Sequence, residues 1–241
     1  MEPKERIIFA LDVESAREAS ELCSLLEGRV GVFKIGLELF CAEGPAVVRA
    51  VKEKTGAAIF LDLKFHDIPA TVAGACRSAA RLGVDFVTVH CGGGARMLRA
   101  AAEAAPRLKV LGVTVLTSLG RGDMEAVGVD TARFASPAEL AVERAAMAVE
   151  AGCAGVVCSG REAAAVRKRI GAGPLIVTPG VRPSGHAAGS DDQKRTTTPA
   201  DAFRDGADYI VVGRPIRNAA DPAAAADAIA AEIGRALSVT P

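Results

Sequence analysis

Two kinds of apolar patterning alternate along the chain. Short, nearly continuous apolar runs occupy Ile7 to Val13, Val32 to Gly36, Ile59 to Phe65, Phe86 to Cys91, Lys109 to Thr117, Gly155 to Gly160, Leu175 to Val181 and Tyr209 to Ile216. Continuous rather than alternating apolarity marks parallel strands covered on both faces, so these eight runs predict a buried parallel sheet. Between them, apolar positions recur with helical spacing over Ser15 to Glu27, Pro45 to Lys54, Ala70 to Leu82, Arg96 to Ala105, Pro137 to Ala151, Glu162 to Ile170 and Pro222 to Leu237. Asp221-Pro222 supplies a helix N-cap followed by proline at the first helical position.

The junctions repeat. A helical segment rich in Ala, Leu and Arg runs into glycine, and a β-type run follows, at T-G-A-A-I-F-L-D-L (55–63), L-G-V-D-F-V-T-V-H (82–90), A-G-C-A-G-V-V-C-S (151–159) and D-G-A-D-Y-I-V-V-G (205–213). Gly56, Gly83, Gly152 and Gly206 are thereby predicted to be left-handed helix C-caps. Eight right-handed βα crossovers close on themselves, which predicts an α/β fold: a (β/α)8 TIM barrel forming a single domain over residues 1–241. A doubly wound open sheet is the structural runner-up, but no G-x-G-x-x-G follows the first strand. Two connections are long, 118–136 and 182–200, and both fall on the face where barrels place active sites.

Composition narrows the partners. Half the residues are hydrophobic, aromatics are 4%, and 29 basic residues balance 29 acidic ones. With no block of like charge there is no electrostatic footprint for nucleic acid or an anionic membrane. Cysteines 23, 41, 76, 91, 153 and 158 form no C-x-x-C pair, and most lie in helix or strand interiors, so reduced thiols and a cytosolic (cytoplasmic) location are expected. Asp12 interrupts the first apolar run too early for a signal peptide, and no apolar stretch reaches membrane-spanning length.

Charges then appear where a buried strand should have none. The octet D-L-K-F-H-D-I-P (62–69) directly follows the apolar run Ala57 to Leu61. Burying a charge is costly unless it is paired or used. Side chains two apart in a strand share a face, so Asp12 follows Ile8 and Ala10, Lys34 follows Val32, and Asp62 and Lys64 follow Phe60. Asp12, Lys34, Asp62 and Lys64 are thus expected to converge over the barrel mouth. His90, Thr117, Arg182 and Arg214 are expected to end strands four, five, seven and eight. Singly, such an Asp is an ordinary turn residue, such a Lys a rim charge, and His66 or His90 a structural histidine. Four charges of alternating sign on three successive strands fit neither surface nor core and point to chemistry. Three histidines give no metal-ligand spacing. Gly213-Arg214, ending the last strand beside the loop with Arg182 and Gln193, suits a phosphorylated ligand: glycine admits backbone N–H groups to the oxygens and arginine adds a bidentate grip.

The stretches F-A-L-D-V (9–13), F-K-I-G-L-E-L-F (33–40), D-L-K-F-H-D-I-P-A-T-V (62–72), V-L-T-S (115–118), T-P-G-V-R-P (178–183), D-Q-K-R (192–195) and V-V-G-R-P-I (211–216) closely resemble the bacterial orotidine 5′-phosphate decarboxylases. The resemblance runs from the first strand to the last. It implies conversion of orotidine 5′-monophosphate to uridine 5′-monophosphate and carbon dioxide, the last step of de novo UMP synthesis, with no metal or organic cofactor. It implies Lys64 as the acid that protonates the vacated ring carbon, flanked by Asp62 and Asp67. Asp67 is expected to reach across from the neighbouring subunit of a homodimer with shared sites, bringing Ile68 and Thr71 to the same place. Asp12 and Lys34 would hold ribose hydroxyls, Thr117 and Arg182 would line the base and phosphate end, and Gln193, Gly213 and Arg214 would grip the phosphate. A magnesium-dependent sugar-phosphate decarboxylase or aldolase of the same suprafamily is the rival reading. It would place an acidic metal ligand where this chain has Lys34, a cation that repels a divalent ion. A non-catalytic phosphosugar-binding barrel is the other, and it would be expected to lack Lys64 or a flanking aspartate.

Overall fold

The computed structural model describes residues 1–183 and 196–239. Eight parallel strands close a ring in chain order, β1 (Ile7–Leu11), β2 (Val32–Ile35), β3 (Ala58–Phe65), β4 (Phe86–His90), β5 (Lys109–Val113), β6 (Gly155–Val157), β7 (Leu175–Thr178) and β8 (Tyr209–Val212), with β8 paired back onto β1. All eight predicted strands are present. Most stop several residues before their apolar runs end, because the chain leaves the ring there to build the mouth. Hence Thr117 lies in the loop after β5 and Arg182 lies four residues past β7, where the sequence reading had them ending strands. Arg214 likewise opens a short helix rather than closing β8.

Each strand divides its apolar side chains between two cores. Ile8, Val32, Phe60, Phe86, Leu111, Val177 and Tyr209 point into the barrel and pack together, with Phe60–Phe86 and Phe86–Tyr209 in edge-to-face contact at 5.9 and 5.7 Å. Their sequence neighbours Phe9, Phe33, Leu61 and Val87 point outward and join the helices in a second, larger core. This double burial is why the strands read as continuous apolar runs.

The outer helices are α1 (Ala16–Leu26), α2 (Leu37–Glu43), α3 (Ala46–Lys54), α4 (Pro69–Leu82), α5 (Gly94–Ala104), α6 (Arg121–Ala126), α7 (Pro137–Glu150), α8 (Gly160–Ile170), α9 (Pro199–Arg204), α10 (Arg214–Arg217) and α11 (Pro222–Val239). In α1, Ser15 caps the start by accepting from the Glu18 N–H at 3.3 Å, and Ala19, Cys23 and Leu26 form the buried stripe. In α4, Pro69 occupies the first turn, Val72, Cys76 and Ala79 are buried, and Gly83 closes the helix in the left-handed region at φ 75°. Gly152 and Gly206 also have positive φ, but Gly56 does not: α3 ends one residue earlier at Thr55, in extended backbone. The sequence reading missed α2, α6, α9 and α10, all too short to display a helical period. Five of the six cysteines are buried free thiols, Cys41 being exposed, and burial pushes those of Cys23, Cys91 and Cys153 up to about 12.

Candidate active site

At the carboxyl end of the ring lies a cavity of about 270 Å³, lined by residues of β1, β2, β3, β5, β6 and β8 and of the loops that follow them. Its floor is the top of the inner core, Ala10, Phe60, Val113, Val157 and Val211, and its charged wall is Asp12, Lys34, Asp62 and Lys64. Thr117, Arg182, Gly213 and Arg214 line it from the opposite loops. The convergence expected from strand parity is therefore realised for Asp12, Lys34, Asp62 and Lys64, and Thr117, Arg182, Gly213 and Arg214 join them from the loops.

The charges form one chain. Lys34 is inward on β2, in register with Ala10 and Phe60, and only 8% exposed. Its Nζ lies 3.1 Å from Asp12 Oδ1 and 3.6 Å from Asp62 Oδ2. Lys64 Nζ lies 2.9 and 3.0 Å from the two oxygens of Asp62, which also accepts from the Thr88 hydroxyl at 2.9 Å. Burial alone would raise the Asp62 carboxyl. The Lys34 and Lys64 charges, with hydrogen bonds from Lys64 and Thr88, outweigh it and hold the group below the ordinary carboxylate range. Asp62 therefore stays ionised between two ammonium groups. Asp12, whose side chain is half exposed, ends the chain at the solvent side.

Lys64 reaches this position by a route that parity did not foresee. Leu61 pairs with Val87 and Phe65 with Val89, so β3 uses four residues where β4 uses two. Within this bulge Lys64 sits at φ 51°, and among the described residues it is the one non-glycine at positive φ. Such a backbone costs on the order of 1–3 kcal/mol for a residue with a Cβ. The excess of two residues preserves the inward face of Lys64, while lifting it from the regular pleat toward the cavity.

Other expected site residues lie apart. Asp67, Ile68 and Thr71, at the start of α4, are exposed, Ile68 at 67%, and none lines the cavity. Asp67 accepts from its neighbour's N–H, Ile68, at 2.6 Å, and among the described residues no ion pair joins it to Lys64. Gln193 lies outside the described residues. The sequence reading missed Cys158 and Ser159, which line the cavity after β6, and Thr88, which is buried beneath it. Their signal was faint: a small polar side chain on an inward strand position is common in a core. His90, beside the site, stacks on His66 with ring centroids 5.3 Å apart. Among the described residues, no group of three or more His, Cys, Asp or Glu side chains is placed to hold a metal ion.

The family described as "Orotidine 5'-phosphate decarboxylase / HUMPS family" matches residues 5–229. The chain belongs to this family. Within it, the chain is 55% identical over 233 residues to a protein of Anaeromyxobacter sp. (strain K) named orotidine 5'-phosphate decarboxylase, covering 96% of this chain and 99% of that one. A protein of the same name from Thermobifida fusca is 51% identical over 228 residues, covering 94% and 95%. Among solved structures, the orotidine 5'-phosphate decarboxylase of Lactobacillus acidophilus superposes with a TM-score of 0.82 at 35% identity, covering 94% of this chain and 98% of that one. That of Pyrococcus horikoshii OT3 gives 0.76 at 29%, covering 95% and 99%.

Proposed function

We propose that this chain decarboxylates orotidine 5′-monophosphate to uridine 5′-monophosphate, with Lys64 as the proton donor and without a metal or organic cofactor. The observation that carries this reading is the Lys34–Asp62–Lys64 array opening into the barrel-mouth cavity, in a chain more than half identical to proteins bearing that activity's name. The bond from the pyrimidine ring to its carboxylate breaks, carbon dioxide leaves, and the electron pair stays on the ring carbon. The Lys64 ammonium then delivers a proton to that carbon, and the lysine regains one from solvent. A cation held where negative charge develops lowers the barrier more than one matched to charge already present. Asp62 keeps the ammonium aimed through its two short contacts.

The remaining roles follow from position. Asp12 and Lys34 suit ribose hydroxyls, since an acceptor and a donor stand side by side on the same charged wall, with Asp62 between Lys34 and Lys64. Thr117 and Arg182 line the end for the base and phosphate. Gly213 and Arg214, with Gln193, are assigned to the phosphate. Gripping a remote phosphate supplies binding energy that can be used at the reacting carbon. We further propose that the barrel is one catalytic domain that works in the cytosol as a homodimer, in which Asp67, Ile68 and Thr71 complete the partner's site. The exposure of this acid beside an apolar Ile68, outside its own cavity, supports that arrangement. No helix among the described residues is long and apolar enough to cross a membrane.

The test is the ultraviolet absorbance of orotidine 5′-monophosphate mixed with purified protein, with and without chelator. Loss of the substrate band at equal rates in both samples is expected. Activity abolished by chelator would favour the metal-dependent branch of the family, and no loss in either would leave a binding protein.

A further inference from the structure

We infer that Thr88 is a positioning residue for Lys64 and Asp62: its buried hydroxyl ties the carboxylate of one to the backbone of the other and so sets where the ammonium points. The inference rests on the proposed role of Lys64 as proton donor. Thr88 is 0% exposed and does not line the cavity, so it touches no substrate and acts only through its neighbours. Its oxygen accepts from the Lys64 N–H at 2.9 Å, and its hydroxyl donates to Asp62 Oδ1 at 2.9 Å. The direction of both bonds is fixed by chemistry. An ionised carboxylate can only accept and an amide N–H can only donate, so the single hydroxyl proton belongs on the Asp62 side.

The Lys64 amide needs this partner. The β3–β4 ladder shifts register between Leu61 and Phe65, and Lys64 lies in the left-handed region inside that gap. A side-chain acceptor from the opposite strand compensates for the interrupted ladder and holds a conformation that the backbone would otherwise leave. The same hydroxyl is one of the groups that keep Asp62 ionised, after the Lys34 and Lys64 charges have offset its burial. One residue thus couples the carboxylate that aims Lys64 Nζ to the backbone that delivers it. Displacing a catalytic group by 1 Å costs on the order of 10²-fold in rate.

The experiment compares Thr88→Val, which keeps the volume and removes the hydroxyl, with Thr88→Ser, which keeps the hydroxyl and removes a methyl. Three quantities are read on the full chain: kcat and KM for orotidine 5′-monophosphate, thermal unfolding, and hydrogen exchange at the Lys64 amide. Thr88→Val is expected to lower kcat by about 10- to 100-fold with KM nearly unchanged, and to speed Lys64 amide exchange. Thr88→Ser is expected to retain kcat within a few-fold and to keep the slow Lys64 amide exchange, although the methyl it removes lowers thermal stability. A Thr88→Val protein with wild-type kcat and wild-type Lys64 exchange overturns the inference. So does an equal loss of kcat in both variants that tracks their melting temperatures, since that is the signature of a structural threonine. A wild-type chain that fails to decarboxylate sinks the proposed function instead, and the exchange of the Lys64 amide then decides on its own whether Thr88 holds it.

Discussion

Lys64 depends on its backbone as much as on its ion pair. A left-handed residue in a strand bulge projects its side chain off the sheet's regular path, and Asp62 then catches the ammonium with both oxygens. Replacing Lys64 by Ala keeps the same Cβ, so the backbone strain is unchanged, and it leaves Asp62 paired with Lys34, so the fold should survive. The expected result is a kcat loss of about 10⁴-fold or more with nucleotide affinity within a few-fold; a variant retaining most of its turnover would remove Lys64 from the mechanism. A second titratable group gives a prediction about stability. Burial, followed by the charges of His66, Arg144 and Lys64, holds the His90 imidazole below its usual value. Between that folded value and about 6.5 the unfolded chain binds the extra proton, so the stability His90 contributes is complete above about pH 6.5 and declines as pH falls toward the folded value. His90→Asn should therefore flatten the decline in Tm on acidification from about pH 6.5 to 5, and superimposable slopes for the two proteins would contradict this.

Among the elements, β6 lies tight against β7 at Gly155. Added to Gly155, a Cβ would lie 2.2 Å from the Leu175 carbonyl oxygen and 2.7 Å from the Leu175 Cβ, both on the neighbouring strand. Backbone cannot rotate away as a flexible side chain can, so Gly155→Ala must push β6 from β7. The cost expected for such overpacking is about 1–3 kcal/mol, or roughly 2–10 °C in Tm for a chain of this size. A calorimetric scan showing no change would mean that the two strands can separate freely. The strands were readable from sequence because each is buried on both faces, and the long helices because an apolar stripe needs several turns to show. The same reasoning explains the misses: α10, with four residues, completes barely one turn and has no stripe. Gly56 illustrates a local ambiguity, since glycine in a turn and glycine at a left-handed cap are written identically.

For the molecule as a whole, the open question is whether one barrel holds a complete site. In a single chain Asp67, Ile68 and Thr71 face solvent while Lys64 lines the cavity. If the sites are shared across a two-fold axis, mixing inactive Lys64→Ala with inactive Asp67→Ala protein creates hybrids in which one site carries both mutations and the other carries neither. After subunit exchange, activity should return to about a quarter of the wild-type level. Two inactive proteins that stay inactive after exchange, confirmed by a mass-tagged hybrid, would show that each barrel works alone.

Residue order was enough to specify the eight-fold βα alternation, the closed ring, and the gathering of Asp12, Lys34, Asp62 and Lys64 at one end. Each of these follows from periodicity, and periodicity is local. The bulge in β3, the left-handed Lys64 and the hydroxyl of Thr88 beneath it were legible only in three dimensions. They arise from how β3 and β4 match in register, and a register is a relation between two strands that neither one encodes alone. The solvent-facing position of Asp67 is of the same kind: its motif placed it beside Lys64 in sequence, and the turn into α4 carried it out of its own cavity.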